Sequence, residues 1–334
     1  MEVLGSSGQG LMRVWSTENL RPHERFDGWV ALRNARRAGG HAELGREPRA
    51  RFHATYSHCT VGEAGVSQMC SSTYRFERSA ADIARTPLDR LIIVQQLGEG
   101  CLVGRNDGDV RLVPGGGFST HYANVPYVLK PPREQSGFHN NVVSIPFARC
   151  RPFLARGCEL EIRPIALEPA VSALFATYFR SFIAQAPHLT GAAADVAVDT
   201  LLQLALVARG LIAGEAEPAR DALHAGQLEA ARQFIARNLA RADLTPAHAA
   251  QALGISVRQL HHLFEPTGTT FARTLLAQRL ERARRLLALR PDRAVIDIAL
   301  ACGIESQTVF YRAFREAFAM TPTDYRREVS RGES

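Results

Sequence analysis

Apolar positions keep two different periods along this chain, and the change between them divides it. From residue 51 to 146 they alternate or run in short β-branched blocks, at 51–58, 65–70, 91–97, 101–103, 109–113, 118–122, 127–129 and 142–146. Alternation sends successive side chains to opposite faces, so each block predicts a strand with one buried side. The Pro-Gly-Gly-Gly run at 114–117 predicts a turn, and Gly-Arg-Asn-Asp-Gly at 104–108 a hairpin turn. Many short strands parted by turns imply a sandwich or barrel of jelly-roll type. Ahead of them, residues 24–37 carry Phe26, Trp29, Val30 and Leu32 and predict a short helix. The Gly- and Ser-rich residues 1–20 predict a flexible lead-in.

After Pro164 the period becomes 3.6. Residues 169–185 (Val171, Leu174, Phe175, Tyr178, Phe179, Phe182) and 192–212 (Val196, Val198, Leu201, Leu202, Leu204, Ala205) predict two amphipathic helices, separated by Pro187 and Thr190. Their apolar sides are suited to cover the β region. Residues 214–220 have linker composition, and 228–237 predict the first helix of a last region.

That region carries one supersecondary pattern twice. Within 244–264, Thr245 is suited to cap a helix, and Pro246 falls in the first turn, where its missing N–H costs nothing. Ala249, Ala250 and Leu253 share a face, and Gly254 can take a left-handed C-cap. Ser256 then caps a second helix with Leu260, Leu263 and Phe264 turned inward. A short helix, a glycine corner and a capped helix make a helix-turn-helix. The pattern returns at 295–314, with Gly303 and Ile304 in the places of Gly254 and Ile255. Phe310 and Phe314 answer Leu260 and Phe264 after one inserted residue. Between the units, 271–289 predict a helix capped by Thr270 and closed by Pro291. Roughly 20 residues at 1.5 Å each make a rod of about 30 Å. Successive major-groove faces lie about 34 Å apart, so the rod suits two readers on one duplex.

Together these residues resemble the AraC/XylS family of bacterial transcription regulators. The resemblance covers about 100 residues at the C-terminus, including 301–304, 312–314 and Met320-Thr321-Pro322. Ile304 stands where the family usually has phenylalanine, Ala319 where it usually has glycine, and His261 and His262 where polar or arginine readers are frequent. Residues 1–165 look like the cupin-like ligand-binding domain of many members, on Phe26/Trp29, Arg78 before Ile83, and 112–115 followed by Pro126 and Tyr127. The resemblance implies an α+β architecture: a β-sandwich or cupin-like jelly roll over 1–165, a helical pair over 166–217 serving dimerisation, and an all-α double helix-turn-helix domain over 225–331. It also implies a homodimer, an operator or promoter in double-stranded DNA, and RNA polymerase as a further partner.

Positions turned away from the inward residues of each reader should face the groove. These are Arg258, His261 and His262 in the first unit, with Val257 beside them, and Gln307, Thr308 and Arg312 in the second. Arginine can bind guanine bidentately and glutamine adenine, each worth about 1–3 kcal/mol of discrimination. Ser256 and Ser306 stand at helix N-termini and are candidates for phosphate contact through backbone N–H groups. Arg279, Arg282 and Arg285 on the connecting helix are further phosphate candidates.

Charge changes the picture in the same direction. The chain carries a formal net charge of +7, of which +5 falls in 218–334 and +2 in 1–217. A local basic excess suits a phosphate-binding module. The choice of Arg over Lys reflects genome composition, but that does not explain where the excess sits. Six cysteines (Cys59, Cys70, Cys101, Cys150, Cys158, Cys302) show no metal-ligand spacing and are expected to be reduced thiols. No run approaches the roughly 18 apolar residues of a membrane span, and the N-terminus lacks a signal-peptide layout, so a cytoplasmic location without membrane contact is expected.

His53, His58, His121 and His139 raise the alternative of a cupin-type metalloenzyme fused to a DNA-binding module. Such a site needs a close His-x-His and a downstream Glu, and that spacing does not occur. No phosphate loop and no nucleophile–base pair is present, so no catalytic residue, metal or cofactor is expected. A third reading is a front domain that senses a partner protein. The favoured expectation is a transcription activator whose β domain binds a small organic effector. Trp29, His53, Tyr74, Gln95, Arg111 and His121 are its candidate lining residues.

Overall fold

The computed structural model describes residues 13–36, 38–44, 49–105, 110–133, 136–154, 158, 160–165, 169–212 and 217–332. Residues 1–12 of the expected lead-in, 106–108 of the hairpin turn and 214–216 of the linker lie outside the described residues. Contacts divide the chain into two units, 1–223 and 224–334.

In the first unit, twelve strands are found among the described residues: β1 (Arg13–Ser16), β2 (His41–Glu43), β3 (Ala54–Val61), β4 (Ala64–Ser71), β5 (Arg75–Arg78), β6 (Arg90–Gln96), β7 (Gly100–Gly104), β8 (Val110–Pro114), β9 (Phe118–Tyr122), β10 (Tyr127–Lys130), β11 (Phe138–Pro146) and β12 (Arg163–Pro164). They form a seven-stranded sheet, β1-β3-β4-β11-β6-β9-β12, and a five-stranded sheet, β2-β5-β10-β7-β8. Helices α1 (Arg25–Arg36), α2 (Ala80–Arg85), α3 (Phe147–Cys150), α4 (Pro169–Gln185) and α5 (Gly191–Ala208) complete the unit.

Strand alternation sorts the large sheet into two faces. Tyr56, Met69 and Phe138 point to the small sheet and pack with its Phe76, Cys101, Val103, Val113 and Tyr127, closed by Phe26 and Trp29 of α1. On the opposite face Val61, Val66, Leu91, Ile93, Val143 and Ile145 meet Phe175, Phe179 and Phe182 of α4 and Val198, Leu201 and Leu202 of α5. The apolar sides of the helical pair therefore cover the sheet. Contrary to expectation, α5 is long and apolar enough on composition to cross a bilayer, and 50 % of it is buried inside the unit.

The sequence pattern missed β1, β2, β5, β12 and α2. Strand β5 reads Arg-Phe-Glu-Arg, and its register is set by pairing to β10 and β2 across the small sheet rather than by its own apolar content. Residues 13–20, expected to be flexible, pair with β3 and form a short 3₁₀ turn. Arg78 is wholly buried and donates to the carbonyls of Ala123 at 2.9 Å, Thr86 at 2.7 Å and Gly39. One guanidinium thus satisfies carbonyls of three separate loops.

Helix α6 (Glu217–Arg237) starts in the first unit and ends in the second, where α7 (Pro246–Leu253), α8 (Val257–Phe264), α9 (Phe271–Leu289), α10 (Val295–Ala301), α11 (Gln307–Phe318) and α12 (Pro322–Gly332) follow in order. Helix α6 begins well before residue 228. The segment expected to be linker continues as helix from residue 217, because a proline is tolerated in a first turn that lacks intrahelical N–H partners. Two cores share α9. Its first half gives Phe271 and Leu275 to a core with Ile235, Leu260 and Phe264. Its second half gives Leu280, Ala283 and Leu287 to a core with Ile298, Phe310 and Phe314.

Candidate nucleic-acid interface and ligand cavity

The first reader is built by local chemistry. The Thr245 hydroxyl accepts from the His248 N–H at 3.4 Å, and Gly254 ends α7 at φ 66°, a left-handed corner open to glycine. The Ser256 hydroxyl accepts from the Gln259 N–H at 3.1 Å, while the Gln259 side chain accepts from the Ser256 N–H at 2.8 Å. This reciprocal capping box holds the N-terminal turn of α8. Leu260, Leu263 and Phe264 are buried, which turns Arg258, His261 and His262 outward to solvent. His262 is also tied to Glu265, Nδ1 to Oε2 at 2.6 Å.

The second reader repeats the plan with one change. Ser306 caps α11 by accepting from the Val309 N–H at 3.3 Å, without the reciprocal bond. Phe310 and Phe314 are buried, and Gln307, Thr308 and Arg312 are exposed. Helix α11 ends on Ala319 at φ 60°, the only non-glycine with positive φ among the described residues. Among those residues, neither Arg258 nor Arg312 is paired with a carboxylate. Both guanidinium groups are therefore available to an anionic partner.

Arg279, expected at phosphate, is used inside the unit instead. Its Nε donates to the Leu239 carbonyl at 3.0 Å, and its Nη2 donates to the Arg241 carbonyl. Burial pushes its pKa below the ordinary arginine value. The second corner packs on the same place: a Cβ on Gly303 (φ 75°) would lie 2.6 Å from the Leu239 oxygen and 2.9 Å from Arg279 Nη2. Arg279 thereby ties the chain after α6, the middle of α9 and the corner of the second reader together. Of its neighbours, Arg282 and Arg285 are exposed, with Arg285 paired to Glu281 at 3.2 Å. Nothing in the sequence marked this internal role of Arg279, since its partners lie 40 and 38 residues away.

The six residues expected to line one effector pocket are not brought together. Trp29 and Tyr74 are buried in the aromatic core between the sheets. His53 is exposed, with Nδ1 2.8 Å from the Ser72 hydroxyl. Gln95 accepts from Asn141 at 3.1 Å and, two residues on from Ile93, faces the helix-covered side of the large sheet. His121 sits on the inner side against Tyr127, with ring centroids 4.6 Å apart, and Arg111 is exposed on β8. His53, His58, His121 and His139 do not converge: among the described residues, no group of three His, Cys, Asp or Glu side chains could hold a metal.

The inner face of the large sheet instead opens into a different cavity of about 270 Å³. Its lining includes Arg36, Tyr56, His58, Arg90, Tyr127 and Ser144, none of them in the expected set. His58 was visible in sequence only as one scattered histidine. Arg90 stands just ahead of the strand expected at 91–97 and was not singled out.

Comparison with known proteins agrees with this geometry. Residues 249–328 match a helix-turn-helix domain family. The transcriptional activator NphR of Rhodococcus sp is 30 % identical over 293 residues, which cover 85 % of this chain and 84 % of NphR. The HTH-type transcriptional regulator YijO of Escherichia coli K12 is 41 % identical over 101 residues, 30 % of this chain and 35 % of that protein. Among solved structures, the AraC-like transcriptional activator CuxR superposes with a TM-score of 0.50 at 21 % identity, covering 87 % of this chain and all of CuxR. The last likeness shows a shared two-part fold.

Proposed function

The chain belongs to the AraC/XylS family of DNA-binding transcription regulators, and from that premise we propose how its parts divide the work. The α7–α8 and α10–α11 pairs read successive major-groove segments of one operator. Arg258, His261 and His262 face one segment, and Gln307, Thr308 and Arg312 face the next. Ser256 and Ser306 bring helix N-termini to the phosphate backbone. The observation that carries this reading is the division of α9 between two cores, which mounts two capped and outwardly polar helices on a single rod. Its 19 residues span about 28 Å, close to one helical turn of DNA.

The first unit serves as an effector domain, and the regulator acts as an activator that engages RNA polymerase from the cytoplasm as a homodimer. An effector alters operator occupancy only by binding one arrangement of the protein better than another. No catalytic role is assigned to the β unit. The test is footprinting at fixed salt: Arg312→Ala should weaken specific binding by roughly 1–3 kcal/mol while leaving the thermal melt unchanged. Unchanged operator affinity would remove Arg312 from the reading surface.

A further inference from the structure

We propose that the cavity on the inner face of the large sheet is the effector site, and that it takes a small monocarboxylate with an apolar body, held between Arg36 and Arg90. This rests on the reading of the first unit as an effector domain.

Shape comes first. Elsewhere the space between the sheets is filled by Trp29, Tyr74, Phe76 and Phe138. Around His58 the neighbours on β4 are Gly65 and Ser67, and a Cβ at position 65 would already sit 3.4 Å from His58 Cε1. Small residues here leave about 270 Å³, just below the roughly 300–1,000 Å³ range of ligand pockets and so suited to a small ligand. The walls divide by chemistry. Tyr56, Ile92, Tyr127 and Val142 supply apolar surface, and the charged groups gather with Ser144.

The charge is cationic and held in place. Arg90 Nε donates to the Ser144 hydroxyl at 2.5 Å, and its Nη2 donates to the carbonyls of Ser144 and Glu63, each at 2.7 Å. None of these acceptors is a carboxylate, so the bonds themselves orient the guanidinium and bring no countercharge. Arg36 has no ion pair among the described residues. The single carboxylate in the lining is Glu63, whose side chain is 70 % exposed, lies 3.9 Å from Arg149 and attracts Arg90 through space without forming an ion pair with it. His58 feels the same field: burial, then Arg36, with Arg13 and Arg90 adding, holds its pKa below the ordinary histidine value. A neutral imidazole beside two cations can hydrogen-bond a carboxylate without adding charge. A planar carboxylate matches the guanidinium fork, and an amide of the same shape brings no charge to balance it.

The test uses the full chain and two matched pairs of probes, phenylacetate with phenylacetamide and isovalerate with isovaleramide. Calorimetry should show the acids binding and each amide at least about tenfold weaker. Arg36→Met and Arg90→Met should each weaken the acids by about tenfold or more and leave the amides unaffected. Arg36 is exposed, so its variant should melt as the parent does and keep the test valid should Arg90→Met unfold. Equal binding of acid and amide, acid binding indifferent to both substitutions, or no binding of either acid would each overturn the assignment. A neutral metabolite that changes the operator footprint would overturn the anionic site and leave the effector reading standing. If no small molecule from a metabolite panel changed the footprint, the effector reading itself would fall.

Discussion

Two glycines in equivalent corners offer a controlled experiment. Gly254 and Gly303 both take left-handed backbone, at φ 66° and 75°. A non-glycine residue in that region costs about 1–2 kcal/mol, partly offset because alanine narrows the unfolded ensemble. A Cβ at 254 would meet nothing within 4 Å, so Gly254→Ala should cost about 1 kcal/mol. At 303 the same atom would lie 2.6 Å from a backbone oxygen that cannot swing aside and 2.9 Å from Arg279 Nη2. Overpacking of this kind adds about 1–3 kcal/mol, and escape by moving Arg279 loses its bond to Leu239. Gly303→Ala should therefore destabilise its reader by about 2–4 kcal/mol, exceeding Gly254→Ala by about 1–3 kcal/mol. The assay is native-state hydrogen exchange on the full chain, comparing peptides from 246–264 with peptides from 295–318, since each reader opens with its own free energy. Equal protection losses within about 0.5 kcal/mol would refute the claim that the second corner is seated on the chain after α6.

Further outcomes follow from the same geometry. Ala319→Gly should stabilise the second unit by about 1 kcal/mol in denaturant melts, because it relieves left-handed backbone at φ 60°; a loss of stability would show that the alanine methyl packs productively. Ser256→Ala removes both the N-cap acceptor and the reciprocal bond with Gln259, and should cost about 1 kcal/mol, read as faster exchange in α8. Ser306→Ala, with one capping bond fewer to lose, should cost less. Burial pushes the Cys101 thiol from its ordinary value of 9.0 up to about 12. Between those values only the unfolded chain ionises, so this thiol stabilises the fold below pH 9 and loses that contribution as pH rises toward 12. Iodoacetamide at pH 8 should accordingly leave Cys101 unmodified until the first unit is unfolded.

The helical region was legible because its signals are local. Thr245, Ser256, Thr270 and Ser306 act on backbone groups three residues away, and Gly254 needs only its own backbone freedom. The β unit was legible in its strands and not in its cavity. A strand pattern tells which residues share a face but not which face meets which sheet, so Gln95 was grouped with His121 although the two point to opposite sides. The cavity depends on Ser67 opposite His58 and Gly65 opposite Thr60 being small, a relation set by the β3–β4 register. Arg279 was misread for a similar reason. A helix surface shows an exposed cation, whereas its carbonyl acceptors arrive from residues about 40 positions earlier.

The helical pair α4 and α5 has most of its greasy surface already committed to the sheet beneath it. What α5 still offers to a neighbour is Ala192, Ala193 and Val196, the last 66 % exposed. Those three side chains alone bury far less surface than a stable dimer needs. In the proposed homodimer the operator adds cohesion by keeping both copies within reach, so the genome itself becomes part of the scaffold on which the pair assembles.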